Sequence, residues 1–186
     1  MSRIKVIQED EATGRLKEVY TEIIQKRGKL SEVIKIQSLR AESIVKHIDL
    51  YMEIMFSKSQ LSRSQREMIA VVVSAHNHCN YCVAHHSEAL NNYWKNEKNT
   101  EQLSKDFSLL ALSEQDKTLC AFAVTITKYP SNSTSNELIE KLRFLGLSDE
   151  AILDATLVIS YFNFVNRMVL GLGVELEKEK GTGYNY

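Results

Sequence analysis

A single proline and seven glycines in 186 residues leave little to interrupt a helix, because proline removes a backbone donor and glycine loosens the chain. Three cysteines are too few, and odd in number, for a secreted disulfide framework. A basic stripe is missing as well: 23 Lys and Arg are interspersed with 24 Asp and Glu, for a net charge of −1, and this argues against a nucleic-acid partner. The opening MSRIKVIQEDEATG lacks the apolar segment of a signal peptide. No uninterrupted apolar run nears membrane length, and the longest, residues 68–73, reads as core. These absences lead us to expect a cytoplasmic protein with no membrane partner. No segment alternates with period two between turn signals, so strands are not expected.

Helical periodicity is what the sequence does contain. Leu16, Val19, Tyr20, Ile23 and Ile24 mark a first helix that Gly28 can stop. A short helix over 31–39 follows, then a longer one over 41–57 carrying Ile44, Ile48, Tyr51, Met52 and Met55. Leu61-Ser62, Leu112-Ser113 and Leu147-Ser148 repeat an entry signal ahead of helices expected at 63–76, 114–129 and 149–170. Ser62 with Gln65, and Ser113 with Asp116, fit serine N-caps with a reciprocating side chain. Pro130 and Gly171 are the expected stops for the second and third of these. Ser135 and Gly146 bracket one more helix at 136–145, while the polar stretch 91–105 reads as a helix end and a loop. The expected fold is an all-α single domain over 1–186, a bundle of about seven or eight helices, with a helical core at about 10–177 and a polar, mobile tail at 178–186.

The chemistry is concentrated in HNHCNYCVAHH, residues 76–86, which holds four of the five histidines and two of the three cysteines. At about 100° per helical residue, Cys82 lies near −60° from Cys79 and His86 near −20°, whereas His85 is about 120° away. Cys79, Cys82 and His86 therefore share a face and His85 flanks it. A break at Asn77-His78 places the Cys-x-x-Cys pair in the first turn of a new helix, where free N–H groups and the dipole favour a thiolate. Cysteines spaced this way can also close a disulfide. Glu67, twelve residues before Cys79 on the preceding helix, stands beside the apolar run 68–73. If the two helices pack as a hairpin or corner, Glu67 orients and polarises His86, as the acid does in a nucleophile–base–acid chain.

Plainer readings stand beside this one. Cys79, Cys82 and His86, with Glu67, His78 or His85, also form a potential metal ligand set. Structural zinc sites usually draw on two separated clusters, however, and here only lone His47 and lone Cys120 remain. His76 and His78 fit cap or loop positions, and His47 an ordinary helix position. Cys120, Tyr161, Phe162 and Phe164 read as core. Asn163, Asn166 and Arg167, polar residues on an otherwise apolar helix, are candidates for a channel, a subunit interface or a hydrogen-bonded helix contact.

The string Glu67, eleven residues, Cys79-x-x-Cys82-x-x-x-His86 resembles the alkylhydroperoxidase AhpD family of the carboxymuconolactone decarboxylase-like superfamily. REMIAVVVSAHNHCNYCVAHHSEAL and YFNFVNRMVLGLGVELE are similar to its peroxidase-related branch. The resemblance implies an all-helical fold, homo-oligomers (trimers or multiples of them) and thiol peroxidase chemistry through a redox-active disulfide, with no haem, flavin or metal. Carried over by position, Cys82 attacks the hydroperoxide, Cys79 resolves, His86 accepts the Cys82 proton and Glu67 completes the relay. An external dithiol, protein or lipoyl in type, then reduces the disulfide. AhpD has a histidine where this chain has Tyr81, so Tyr81, His78 and His85 are candidates for relay or site wall. Two alternatives remain: a helical oligomer that binds a metal or small ligand without redox turnover, and a lyase. Decarboxylation has no use for paired cysteines.

Overall fold

The computed structural model describes residues 2–177, and the polar tail expected at 178–186 lies outside the described residues. The described residues form nine α-helices and a short 3-10 turn at Phe107–Leu109, with no strand. The helices are α1 (Gly14–Arg27), α2 (Glu32–Lys35), α3 (Ala41–Phe56), α4 (Arg63–His76), α5 (Asn80–Trp94), α6 (Glu97–Lys105), α7 (Glu114–Lys128), α8 (Thr134–Phe144) and α9 (Asp149–Leu172). Ser62 accepts from the Gln65 N–H while the Gln65 side chain accepts from the Ser62 N–H, a complete capping box at the start of α4. Ser113 and Ser148 cap α7 and α9 through their hydroxyls.

Nine helices exceed the seven or eight expected, and the addition is α6. Asn96 caps it by accepting from the Asn99 N–H, and Thr100 and Leu103 are its buried residues. A helix that buries only two side chains leaves a weak periodic signal. Helix α8 starts at Thr134 rather than after Ser135, whose side chain is buried inside it. Helix α9 runs through Gly171 and stops at Gly173, which takes φ 70°, a conformation that costs glycine little.

Helix α4 is the centre of the fold. Every residue from Arg66 to Ser74 is buried, and α4 packs against α5, α6, α7 and α9. A helix apolar on all sides is stable only when enclosed in this way. A smaller apolar cluster joins α1, α2 and α3 through Leu16, Tyr20, Ile23, Ile34 and Ile44, and α3 meets the larger core along α9. The seam between the two clusters holds the site. By length and composition α9 is apolar enough to cross a membrane, but its inner face packs on α4 and α7. Its outer face exposes Leu153, Leu157 and Phe164, so the core assignment of Phe164 is corrected: a helix of this length shows part of its girth to solvent.

Candidate active site

The α4–α5 corner creates the site. Asn77 ends α4, and His78 takes the left-handed conformation, with φ 57°. The His78 N–H donates to Ala75 O at 3.0 Å and the Cys79 N–H to Ser74 O at 2.9 Å. This paired closure is a Schellman motif with histidine in the usual glycine position. Cys79 thereby serves twice, closing α4 and N-capping α5. His78 is exposed and does not border the pocket described below. Its role is in the backbone of the corner, and the geometry gives it no place as a relay.

Glu67 comes from the middle of α4 and His86 from the second turn of α5. Glu67 is wholly buried. His86 Nδ1 lies 2.7 Å from Glu67 Oε2, while Arg63 Nε and Nη2 donate to Oε1 at 3.0 and 2.5 Å. Burial by itself would raise the Glu67 carboxyl, but the charges and hydrogen bonds of His86 and Arg63 outweigh it and hold the group below its ordinary range. An ionised carboxylate only accepts, so Nδ1 of His86 carries the proton and Nε2 is left as the ring's base. The ring edge packs on Phe162, with centroids 4.4 Å apart. Arg63 is fixed in turn by Met55 O at 3.1 Å and the Tyr51 hydroxyl at 3.3 Å, and lies over the Phe56 ring at 3.5 Å. Sequence reasoning passed over Arg63, although its position four residues before Glu67 was readable as a helical ion pair.

The two sulfurs are 3.1 Å apart, both cysteines are reduced, and both are buried. Their environments differ. A hydrogen bond from the Cys82 thiol lowers Cys79, against the effect of burial, and the Cys82 and Tyr81 N–H groups at the start of α5 add to it without closing a cap bond. Cys82 is pushed up, first by its bond to Cys79 and then by burial and the Cys79 charge, while the Asn166 amide opposes the rise. The helix N-terminus expected to favour a thiolate therefore favours it at Cys79. Cys82, by contrast, borders a cavity of about 90 Å³ together with His86, Tyr81, His85, Tyr161 and Tyr51. Arg27 and Lys29 stand in the same lining.

His85, which the helical angle sets to the flank, borders the same pocket as Cys82 and His86 and is engaged by Glu177 and Tyr81. Its Nε2 is 2.8 Å from Glu177 Oε2, and its ring lies 4.4 Å from that of Tyr81. The Tyr81 hydroxyl donates to Glu177 Oε1 at 2.9 Å, and the Glu32 N–H donates to the same oxygen at 2.9 Å. Tyr81 and His85 thus form wall. Glu177, which no local signal marked, holds the last described residues against them. Asn163, Asn166 and Arg167 form a helix contact. Asn77 Nδ2 donates to Asn163 Oδ1 at 3.0 Å and to Asn166 Oδ1 at 2.9 Å, Asn166 Nδ2 donates to Ser74 Oγ at 3.2 Å, and Arg167 Nη1 donates to Asn163 Oδ1 at 2.8 Å. This network fixes the corner that presents Cys79. His47, expected to be an ordinary helix residue, is buried and borders the pocket. Cys120 is core, where burial raises its thiol. Among the described residues, no group of three His, Cys, Asp or Glu is placed to hold a metal ion.

Residues 44–98 match the carboxymuconolactone decarboxylase family. An uncharacterized peroxidase-related protein from Silicibacter sp. TM1040 is 26% identical in its crystal structure, with TM-score 0.84 and 98% of each chain covered. A structure described as the alkylhydroperoxidase AhpD core, an uncharacterized peroxidase-related protein from Ralstonia eutropha JMP134, is 24% identical, with TM-score 0.84 over 97% of this chain and 94% of that one. The debrominase Bmp8 shares the fold at 21% identity, with TM-score 0.78 over 95% of this chain and 92% of its own.

Proposed function

From a chain that carries the carboxymuconolactone decarboxylase family segment within an AhpD-like fold, we propose a thiol-dependent oxidoreductase that reduces hydroperoxides through Cys79 and Cys82. One observation carries the proposal: a buried carboxylate, held by Arg63, orients His86 at 2.7 Å, and His86 lines one pocket with Cys82, whose sulfur lies 3.1 Å from that of Cys79.

His86 Nε2 accepts one proton from the dithiol, and Glu67 stabilises the resulting imidazolium. The remaining proton is shared between the sulfurs. At rest the charge favours Cys79. When the proton moves to Cys79, the thiolate is on Cys82, which faces the pocket. The Cys82 sulfur attacks the outer peroxide oxygen and the O–O bond breaks. Sulfur is oxidised to the sulfenic acid and the peroxide is reduced to an alcohol that takes its proton from His86. The Cys79 sulfur then displaces hydroxide from the Cys82 sulfenic acid. The products are a disulfide and, with the proton released by Cys79, water. An external dithiol, protein or lipoyl in type, restores both thiols. The same exchange chemistry extends to disulfide substrates. A reducing cytoplasm and a homo-oligomer, a trimer or multiple of one, belong to the same reading.

The test is peroxide consumption with dithiothreitol as reductant, comparing wild type with Cys82→Ser and His86→Ala. Cys82→Ser should be inactive, and His86→Ala should lose about 10²–10⁴-fold, the usual scale for a general base. Full activity in both variants would refute the assignment. Stoichiometric zinc in the purified protein would favour a metal-binding role instead.

A further inference from the structure

A second polar chain reaches the pocket from α2 and α3 and takes no part in the Glu67–His86 relay. Just beyond α2, the Gln37 amide nitrogen lies 2.8 Å from Val33 O and 2.8 Å from His47 Nδ1. A carbonyl oxygen can only accept, so the atom facing it is the NH₂ group and not the amide oxygen. Its other N–H points at His47 Nδ1, which must then carry the lone pair. The ring proton is thereby assigned to Nε2, which donates to the Tyr161 oxygen across 2.6 Å. Burial, with Arg27 adding to it, lowers His47 to about 4, so the ring is neutral near pH 7 and this tautomer persists. With His47 donating to its oxygen, the Tyr161 hydrogen cannot point back along that bond. Tyr161 borders the pocket beside Cys82, and burial, with Tyr51 and Cys82 contributing, keeps its hydroxyl protonated.

We infer that Tyr161 is an oriented hydrogen-bond donor to the leaving oxygen of a hydroperoxide held against Cys82, with His47 and Gln37 as its positioning residues. The inference rests on the reading of Cys82 as the attacking sulfur. As the O–O bond breaks, its electron pair goes to the R–O oxygen. The Tyr161 O–H stabilises that growing charge by hydrogen bonding, while the neutralising proton comes from His86. A donor fixed in advance and shielded from water is most effective where charge develops.

The test compares wild type and Tyr161→Phe with two oxidants, tert-butyl hydroperoxide and a peracid, alongside the rate at which iodoacetamide alkylates the reduced enzyme. The alkyl hydroperoxide releases a basic alkoxide and needs the donor. The peracid releases a weakly basic carboxylate and does not. Tyr161→Phe should lose about a hundredfold in kcat/KM with the alkyl hydroperoxide, the scale of losing one oxyanion donor, and only severalfold with the peracid, at an unchanged alkylation rate. Equal losses with both oxidants, or alkylation slowed by the same factor, would overturn the inference by placing Tyr161 in the support of Cys82. Wild-type activity in Tyr161→Phe, with Cys82→Ser inactive, overturns it and leaves the dithiol reading standing. Turnover persisting in Cys82→Ser defeats both.

Discussion

Removing the Glu67 carboxylate should destabilise the protein as well as inactivate it, and the amount follows from what stays behind. Glu67→Ala leaves Arg63 charged and only 14% exposed. Breaking a buried ion pair from one side costs about 3–5 kcal/mol. Arg63 retains Met55 O, the Tyr51 hydroxyl and the Phe56 ring, so the lower end applies, about 3 kcal/mol. For a chain of this length that lowers Tm by about 6–12 °C, a large share of a domain's usual stability. Adding Arg63→Met should recover part of the loss, because the orphaned charge goes with it. The dependence on pH has a definite sign. The carboxyl is lower in the folded state than its ordinary 4.5, so its contribution is complete above that pH and disappears as pH falls through the folded value. The gap between wild type and Glu67→Ala should therefore close in acid. Urea titration of the four proteins of the cycle, at neutral and acid pH, measures all of this. A loss below about 1 kcal/mol, a strictly additive cycle, or a gap that widens in acid would refute the electrostatic account of Glu67.

Three further outcomes are expected. Glu177→Gln should cost about 2 kcal/mol, as hydrogen bonds to a charged group do; because Glu177 titrates near 2 when folded, thermal melts should show the difference at neutral pH and its loss between pH 4.5 and 2. His78→Gly should retain peroxidase activity and change stability by less than about 1 kcal/mol, since glycine suits the left-handed position but adds chain entropy; a large loss of turnover would return His78 to the relay. Ser62→Ala should lower stability by about 1 kcal/mol through the lost capping box, read as a shift in urea midpoint.

The sequence by itself determined the helices with caps and a strong apolar face. Ser62, Ser113 and Ser148 each open a helix because a hydroxyl meets a free N–H three residues on, and that is local chemistry. Helical angle also grouped Cys79, Cys82 and His86 and set His85 to the flank, yet His85 lines the same pocket as Cys82 and His86, and Cys79 stands at the N-cap of α5. The Glu67 spacing pointed to His86, but their meeting depends on the turn at Asn77-His78, which brings α4 back against α5. Helix α6 escaped because two buried residues give too little pattern. Only the tertiary structure could supply Arg63 as the second partner of Glu67, Glu177 against Tyr81 and His85, and the chain from Gln37 through His47 to Tyr161. His47 and Tyr161 stand 114 residues apart, and no periodicity links them. They meet because α3 and α9 pack along one seam, and packing of distant segments is decided by the whole buried surface and not by any local run of residues.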